Sequence, residues 1–392
     1  MHLLFVANFS SRTGYAWETI ERVFRRVGES LVREGHRVSV CYARLENGPP
    51  ERMRGAPFEF VAFDYGRTRT PGGLRDFMRL LRARGVDALY LTDRPTWSWR
   101  YPFFHLAGVR RLIVHDRTSG ERTRRAALLR GVKRLLHHVP GLAGDCFIGV
   151  SEYVRRRMVE VNGTPPSRTW CVYNGIDLAP FAVPDRAALR QDLGLPEETR
   201  VVFCSGRAQP YKGIQLVIEA AALLKDQGVP DLAFAYAGDG GYLKELKELA
   251  ARRGVENFHF LGRRDDVPRL LGGAAAAVVP SLWAEAFGLT VVEAFAAGAP
   301  LVAARTGGIP ELVRDGETGV LFPPGDARAL AAALRAVLAD PQAAEVRAAR
   351  AAREVRRRFS LEKSAVSLYA LVSSQLRTSP VLAAPVVAAA EE

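Results

Sequence analysis

Short apolar runs at residues 2–7, 37–42, 57–63, 87–91, 111–115, 145–150 and 169–173 alternate with longer segments whose apolar residues recur at helical period. Strands alternating with helices in this way predict a βαβ sheet. The pattern then restarts, with strand-like runs at 200–205, 231–237, 257–261, 274–280 and 300–304, which predicts a second doubly wound sheet. Between the two blocks, Asn174-Gly175 is a turn signal, and Pro180 and Pro184 stiffen the residues after it. A linker near 174–184 therefore divides an α/β chain into two Rossmann-like domains, 1–178 and 179–359. A last helical segment, 360–377, starts at Ser360 as a candidate N-cap and carries Leu361, Val366, Leu368, Leu371 and Val372. Residues 378–392 hold two prolines and no amphipathic period, and read as a loose tail.

A length of 392 residues with 48% hydrophobic content supports two buried cores. Charge changes the picture only when divided. Residues 1–178 carry 30 Lys and Arg against 17 Asp and Glu, whereas 179–392 carry 25 of each. The whole excess of +13 lies in the first half, which suits an anionic partner such as a phospholipid surface, a lipid phosphate or a nucleic acid, or else an arginine-rich solubilising surface. Arg110 to Pro140 concentrates it, with nine basic residues (among them Arg122, Arg124 and Arg125) against two acidic ones. Leu128, Leu129, Val132, Leu135 and Leu136 fall at helical spacing between them. Such a helix either lies on anionic lipid or packs its leucines inward. Trp97, Trp99, Tyr101, Phe103 and Phe104 add aromatic bulk nearby, as core or as part of an acceptor side. Cys41, Cys146, Cys171 and Cys204 are scattered without a CxxC or zinc spacing, so they read as reduced and structural. The first residues read as a strand rather than a leader, and no charge-free apolar run is long enough to span a bilayer, so a cytosolic protein is expected.

The candidate chemistry centres on residues 281–293, Ser-Leu-Trp-Ala-Glu-Ala-Phe-Gly-Leu-Thr-Val-Val-Glu. The spacing places Glu285 on a loop and Glu293 two turns into a helix beginning near Gly288. Exposed N–H groups at Gly288 and Leu289 would form the positive end of that helix and hold a diphosphate. Upstream, the strand Val201–Ser205 ends in Gly206-Arg207, and Tyr211-Lys212-Gly213 opens a helix. Open α/β sheets bind ligands at the carboxyl ends of their strands, so these residues fall where a ligand belongs.

This combination, followed by Gly307-Gly308-Ile309-Pro310-Glu311, strongly resembles glycosyltransferase family 4 of the retaining GT-B enzymes. The resemblance implies two Rossmann-like domains facing across a cleft, the helix 360–377 packing back on the first, and transfer of a sugar from a nucleotide-sugar donor to a hydroxyl of a glycan, glycolipid or lipid-linked acceptor. It assigns Arg207 and Lys212 to the donor phosphates, where positive groups also stabilise the leaving nucleotide. Glu285 goes to the sugar near its reacting carbon, and Glu293 to the ribose hydroxyls. His115, ending the strand Arg111–Val114 in a His115-Asp116 pair, goes to the donor sugar as a further catalytic group. Gly206, Phe287, Gly288, Leu289, the turn at Gly238 and Leu261-Gly262-Arg263 complete the donor side. The Ser10–Gly14 loop stands where the family has a Gly-Gly pair, and keeps only Gly14, whose backbone is expected to approach the donor phosphate or the acceptor. Ser151-Glu152 and Asn174–Asp177 match as architecture of the domain junction.

For a retaining enzyme of this type, the leaving phosphate takes the acceptor's proton, and no paired acid and base at glycosidase spacing is needed. No Asp-x-Asp motif occurs, so no metal and no cofactor is expected. The charge and the resemblance together suggest a cytoplasmic enzyme of cell-surface polysaccharide or glycolipid assembly, peripheral to an anionic membrane. The alternatives are a transferase with a small soluble acceptor, a sugar-nucleotide epimerase or phosphorylase of the same architecture, and a non-catalytic nucleic-acid-binding protein. The last lacks an RNA-binding aromatic signature or helix-turn-helix, so no nucleic acid is expected.

Overall fold

The computed structural model describes residues 1–7, 9–11, 17–121 and 127–377, with the side chains of 127–130 left out. The chain divides into two compact units. One comprises residues 1–118, 122–175 and the segment from Leu361 on, and the other Ser119–Glu121 with Ile176–Ser360.

The first unit is built on seven parallel strands: β1 (His2–Val6), β2 (Arg37–Tyr42), β3 (Glu59–Ala62), β4 (Ala88–Thr92), β5 (Arg111–Asp116), β6 (Cys146–Gly149) and β7 (Thr169–Cys171), in the order β3-β2-β1-β4-β5-β6-β7. Every residue of β1, β4 and β5 is buried, as a parallel sheet covered on both faces requires. The helix Glu18–Arg33 covers one face through Val23, Phe24, Val27 and Leu31. Beside it packs the helix Leu361–Arg377, whose Leu361, Ala365, Leu368 and Val372 enter the same core. Glu34, just past the first helix, accepts hydrogen bonds from Ser373 (3.1 Å) and Arg377 (2.6 Å), which fixes the register of the two helices.

The second unit holds six parallel strands: β8 (Arg200–Ser205), β9 (Leu232–Ala237), β10 (Phe258–Gly262), β11 (Ala276–Val279), β12 (Leu301–Ala304) and β13 (Val320–Phe322), in the order β10-β9-β8-β11-β12-β13. The strand order reverses between β8 and β11. That is the switch point at which such sheets open a crevice beyond their carboxyl ends. The twelve strands expected from apolar runs are all present. The thirteenth, β13, is three residues long and comes after the Gly316–Gly319 turn, too short a run to stand out by composition.

All four cysteines are free, and three are buried. Burial pushes the Cys41 thiol up to about 12 and those of Cys146 and Cys204 further, so these sulfurs remain unreactive thiols. Among the described residues, no helix is long and apolar enough to cross a membrane.

Candidate active site

At the switch point of the second sheet, the exits of β8, β11 and β12 are stitched into one framework. The exit of β8 runs through Gly206-Arg207-Ala208 into the turn Pro210–Lys212 and the helix Ile214–Asp226. The Tyr211 carbonyl accepts from the N–H groups of Leu282 (2.9 Å) and Trp283 (3.3 Å), which lie on the exit of β11. Gly213 has φ of 77°, and a Cβ there would stand 1.9 Å from the Pro280 carbonyl oxygen, so only glycine lets the two exits approach. Lys212 thereby reaches Glu285: Nζ donates to Oε1 at 2.7 Å. Ser281 donates to the same Oε1 at 2.7 Å from an almost fully buried position. The lysine and the serine thus converge on one oxygen of the Glu285 carboxylate. A charge-assisted bond of this kind contributes about 1.5–3 kcal/mol.

The backbone around Glu285 is held at three consecutive residues. The Ala284 carbonyl accepts from Gly120 N–H (2.7 Å), the Glu285 carbonyl from Gly308 N–H (2.8 Å), and Ala286 N–H donates to Ser119 Oγ (3.1 Å). Gly307 packs against the same peptide, with φ of 57°, and a Cβ there would fall 2.2 Å from the Glu285 oxygen. The carboxylate is therefore positioned before any ligand arrives, a requirement for electrostatic catalysis.

Gly288, at φ of 102°, is left-handed and cannot join the helix, which begins at Leu289 and ends at Ala296. Glu293 is its fifth residue, about a turn and a half from Gly288 rather than two full turns. It is 4% exposed, on a helix whose Val291, Val292 and Phe295 are also buried. Phe287 is core, its ring edge-on to Phe359 at 5.7 Å, so of this residue it is the backbone that lies beside the helix terminus.

Gly206 and Gly238 adjoin. A Cβ on Gly238 would stand 1.9 Å from the Gly206 oxygen, which accepts from the Tyr236 hydroxyl at 2.7 Å. Burial pushes that phenol up, so it stays a donor. Ala208 N–H donates to the Asp239 carbonyl (2.9 Å), which anchors both sides of Arg207. Arg207 itself is exposed, with no side-chain hydrogen bond or ion pair among the described residues. Arg263 follows Gly262, whose carbonyl accepts from Gly238 N–H at 2.8 Å, so its backbone borders this cluster while its exposed side chain does not join the Lys212–Glu285 pair. Arg263 comes after the outermost strand β10, which lies two strands from β8, and its guanidinium pairs with Asp265 at 3.7 Å. Among the described residues, no three His, Cys, Asp or Glu side chains converge as a metal site.

In the first unit, His115 is the last but one residue of β5 and is buried. The Tyr90 hydroxyl meets its Nδ1, and the Arg117 guanidinium donates to the same atom at 3.3 Å. A guanidinium only donates, so Nδ1 accepts and the ring proton sits on Nε2. Nε2 is buried without a partner among the described residues. Burial first, and the Arg117 charge second, hold this histidine well below its ordinary 6.5. It is a neutral hydrogen-bond donor at neutral pH. Asp116 is structural: it pairs with buried Arg157 (3.1 Å) and accepts from Thr118 N–H (2.9 Å). Gly14 lies outside the described residues, as do Arg12, Arg122, Arg124, Arg125 and the tail.

The His115 environment has a pH signature. Its unfolded ring takes up a proton below about 6.5, and the folded ring does not, so its contribution to stability is complete above that pH and is lost as the pH falls, at up to about 1.4 kcal/mol per unit. The gap in thermal midpoint between wild type and His115→Asn is expected to narrow from about pH 7 to about pH 5. A gap independent of pH would mean that the folded ring takes up its proton as readily as the unfolded one.

Sequence reasoning passed over Ser281, Ser119 and Gly120. Ser281 lies inside the diagnostic stretch, and Ser119-Gly120 is a small-residue turn pair just beyond His115. Nothing local says that they meet the Glu285 peptide.

Comparison with known proteins converges on one family. A model of glycosyl transferases group 1 matches residues 185–355, and a model of glycosyltransferase family 4 matches residues 20–180. The chain is 38% identical over 219 residues to a D-inositol 3-phosphate glycosyltransferase of Mycolicibacterium vanbaalenii, an alignment covering 53% of this chain and 48% of that protein. It is 30% identical over 325 residues to one of Streptomyces bingchenggensis, covering 77% of this chain and 69% of that one. The chain thus spans about half the length of the first of these relatives. A solved glycosyltransferase of Rickettsia africae superimposes with a TM-score of 0.80 at 17% identity, over 96% of this chain and 99% of that one. The Anabaena protein HepE in complex with UDP gives 0.75 at 23%, over 95% and 100%. At such identities these two show the fold alone.

Proposed function

Since the chain belongs to glycosyltransferase family 4, with the GT-B fold, we propose that it moves a sugar from a nucleotide-sugar donor to an acceptor hydroxyl with retention of configuration and without a metal. The observation that carries this reading is the Lys212–Glu285 pair, set on a rigid loop at the switch point beside the start of the helix Leu289–Ala296.

In this reading the donor diphosphate lies against the Gly288 and Leu289 N–H groups, with Arg207 and Lys212 opposing the charge that grows on the leaving phosphate. Lys212 and Ser281 hold Glu285 by Oε1, and Oε2 is turned to the sugar, where its charge stabilises the oxocarbenium-like transition state. His115 serves a sugar hydroxyl as a donor through Nε2, and Glu293 the ribose. The bond from the anomeric carbon to the phosphate oxygen breaks. A bond to the acceptor oxygen forms on the same face, and the acceptor proton passes to the departing phosphate.

The acceptor is assigned to a glycan, glycolipid or lipid-linked sugar in cell-surface assembly, with the basic first half turned to an anionic membrane. One observation favours a small soluble acceptor instead: the relatives named above are D-inositol 3-phosphate glycosyltransferases. A phosphorylated polyol would also suit a half-chain carrying an excess of +13. The HepE complex makes UDP-sugars the first donors to try.

The test is a thermal-shift panel of UDP-, GDP-, ADP- and CDP-sugars without added metal, on wild type and Glu293→Ala. One nucleotide should raise the wild-type midpoint, and the mutant should lose most of that rise; at a hundred times Kd the rise reflects about 2.7 kcal/mol. No shift with any donor, or a shift unchanged in Glu293→Ala, would remove the donor-site assignment.

A further inference from the structure

Among the described residues, six of the seven large apolar side chains that the first unit leaves exposed gather in one place, the seventh being Val366 on the helix Leu361–Arg377. Trp99 (52% exposed), Phe103, Leu106 (70%), Val132, Leu135 (68%) and Val139 come from two segments that run side by side. Trp97 bridges Ala143, Ser98 N–H donates to the Leu142 carbonyl (2.9 Å), His137 Nε2 meets Thr96 Oγ1 (3.0 Å), and the His105 ring lies 3.2 Å from where a Cβ on Gly141 would stand. The exposure of Trp99 is built in. Its neighbours Ser98 and Arg100 are both buried, and Arg100 is hydrogen-bonded to Ser98 and stacked over Tyr65, so the backbone is anchored while the indole projects. On the other segment, Val132 and Leu135 stand one turn apart on the helix Ala127–Leu136 and face outward instead of packing inward.

The rim of this face is positive. Arg110 and Arg134 are exposed, Arg110 with Asp87 at 3.6 Å, and Arg82 places its guanidinium on the Leu106 carbonyl at 3.3 Å. No Asp or Glu occurs from Pro95 to Arg110 or from Gly131 to Gly144. A second copy of the chain would bring two such rims together, and like charges across an interface are costly. A nucleic acid would meet the arginines but leave the apolar centre without a partner. An anionic bilayer supplies both counterparts: phosphates for the rim, and an acyl boundary into which Trp, Phe and Leu side chains sink by about 5–10 Å.

We infer that Trp99, Phe103, Leu106, Val132, Leu135 and Val139 form the membrane-seating face of this protein, inserted into the interface of an anionic phospholipid bilayer and steered there by Arg82, Arg110 and Arg134. This deepens the membrane association proposed above and rests on it. The basic surface alone would give adsorption, whereas this face gives insertion and fixes which side of the unit meets the lipid.

The experiment is vesicle co-sedimentation of the full chain on phosphatidylcholine with and without phosphatidylglycerol. It compares wild type, Trp99→Ser/Leu106→Ser/Leu135→Ser, Arg110→Gln/Arg134→Gln and Trp99→Phe. Wild type is expected to bind only the anionic vesicles, and brominated lipid to quench part of its fluorescence, a component absent from Trp99→Phe. The triple variant, folded by its unchanged thermal midpoint, should lose about tenfold or more in partitioning, and the arginine variant a similar factor in a salt-dependent way. Binding by the triple variant equal to wild type, with no quenching at Trp99, would overturn the face and leave adsorption through other basic residues standing. Failure of wild type to bind any vesicle would overturn both. Self-association of wild type that vanishes in the triple variant would make the face an interface between copies, which also overturns the inference. Donor-induced thermal shifts, read on the same proteins, report on the transferase assignment independently.

Discussion

Glu285→Gln should reduce sugar transfer by about a hundred- to a thousandfold, the factor expected when one preorganised electrostatic group is removed from a transition state, while nucleotide affinity changes only a few-fold. Glutamine is nearly isosteric, and its carbonyl oxygen still accepts from Ser281 and Lys212, so the loop held by Gly120, Ser119 and Gly308 has no reason to move. The loss is the negative charge that balances Lys212 and faces the cation-like sugar. The measurement is a pair: turnover with the donor found in the thermal-shift panel, and nucleotide binding by calorimetry. Turnover within a few-fold of wild type would show that Glu285 is a structural partner of Lys212 and not a catalytic group. Loss of nucleotide affinity in step with turnover would instead assign it to donor binding.

Gly307→Ala should be among the most damaging single methyl groups in the second unit. It combines a left-handed backbone at φ of 57° with a Cβ 2.2 Å from the Glu285 oxygen and 2.4 Å from its nitrogen. The backbone preference costs about 1–2 kcal/mol, and displacing a packed peptide adds roughly 1–3 kcal/mol. For a unit of this size the sum lowers the thermal midpoint by about 5–15 °C. The donor-induced shift should vanish as well, because the displaced peptide is that of Glu285. Gly316→Ala is the control. Gly316 is also left-handed, at φ of 77°, but nothing lies within 4 Å of a Cβ there, so only the backbone cost applies. Equal midpoints for the two variants would mean that the Gly307 contact does not constrain the loop.

These two expectations differ in how far local pattern foreshadows them. Glu285 stands out in a distinctive run, as do Gly288, Glu293 and the Gly206-Arg207/Lys212 pair, because a ligand-binding strand exit needs glycines and charges in a fixed order along the chain. The partnership of Lys212 with Glu285 does not stand out. It spans 73 residues and depends on β8 and β11 being neighbours, a consequence of the strand order and not of either segment. Ser119 and Gly120 are further from view. They sit between a strand of the first unit and a helix of the same unit, yet group with the second and hold the Glu285 peptide from either side.

The aromatic stretch after Trp97 makes the same point for burial. Its composition is equally consistent with core and with surface, and the fold divides it. Tyr101 and Phe104 are fully buried, with Phe104 edge-on to Tyr65 and Phe77, while Trp99 and Phe103 project. A six-residue helix presents apolar residues on every side, and only the neighbours decide which side is covered. His115 behaves likewise. Its place at a strand end is visible in the pattern, but its neutral state and tautomer come from Tyr90 and Arg117.

From its own order of residues, then, this chain declares two parallel α/β sheets, the strand exits where chemistry gathers, the uneven charge and the family. Those properties depend on periodicity and on short motifs that are complete within a few tens of residues. Which carboxylate oxygen is held and by what, which peptide a glycine must make room for, which histidine nitrogen bears the proton, and which aromatic side chains remain outside were decided only by folding. Each is a contact or a burial between residues far apart in the chain, and its energy exists only once those residues have been brought together.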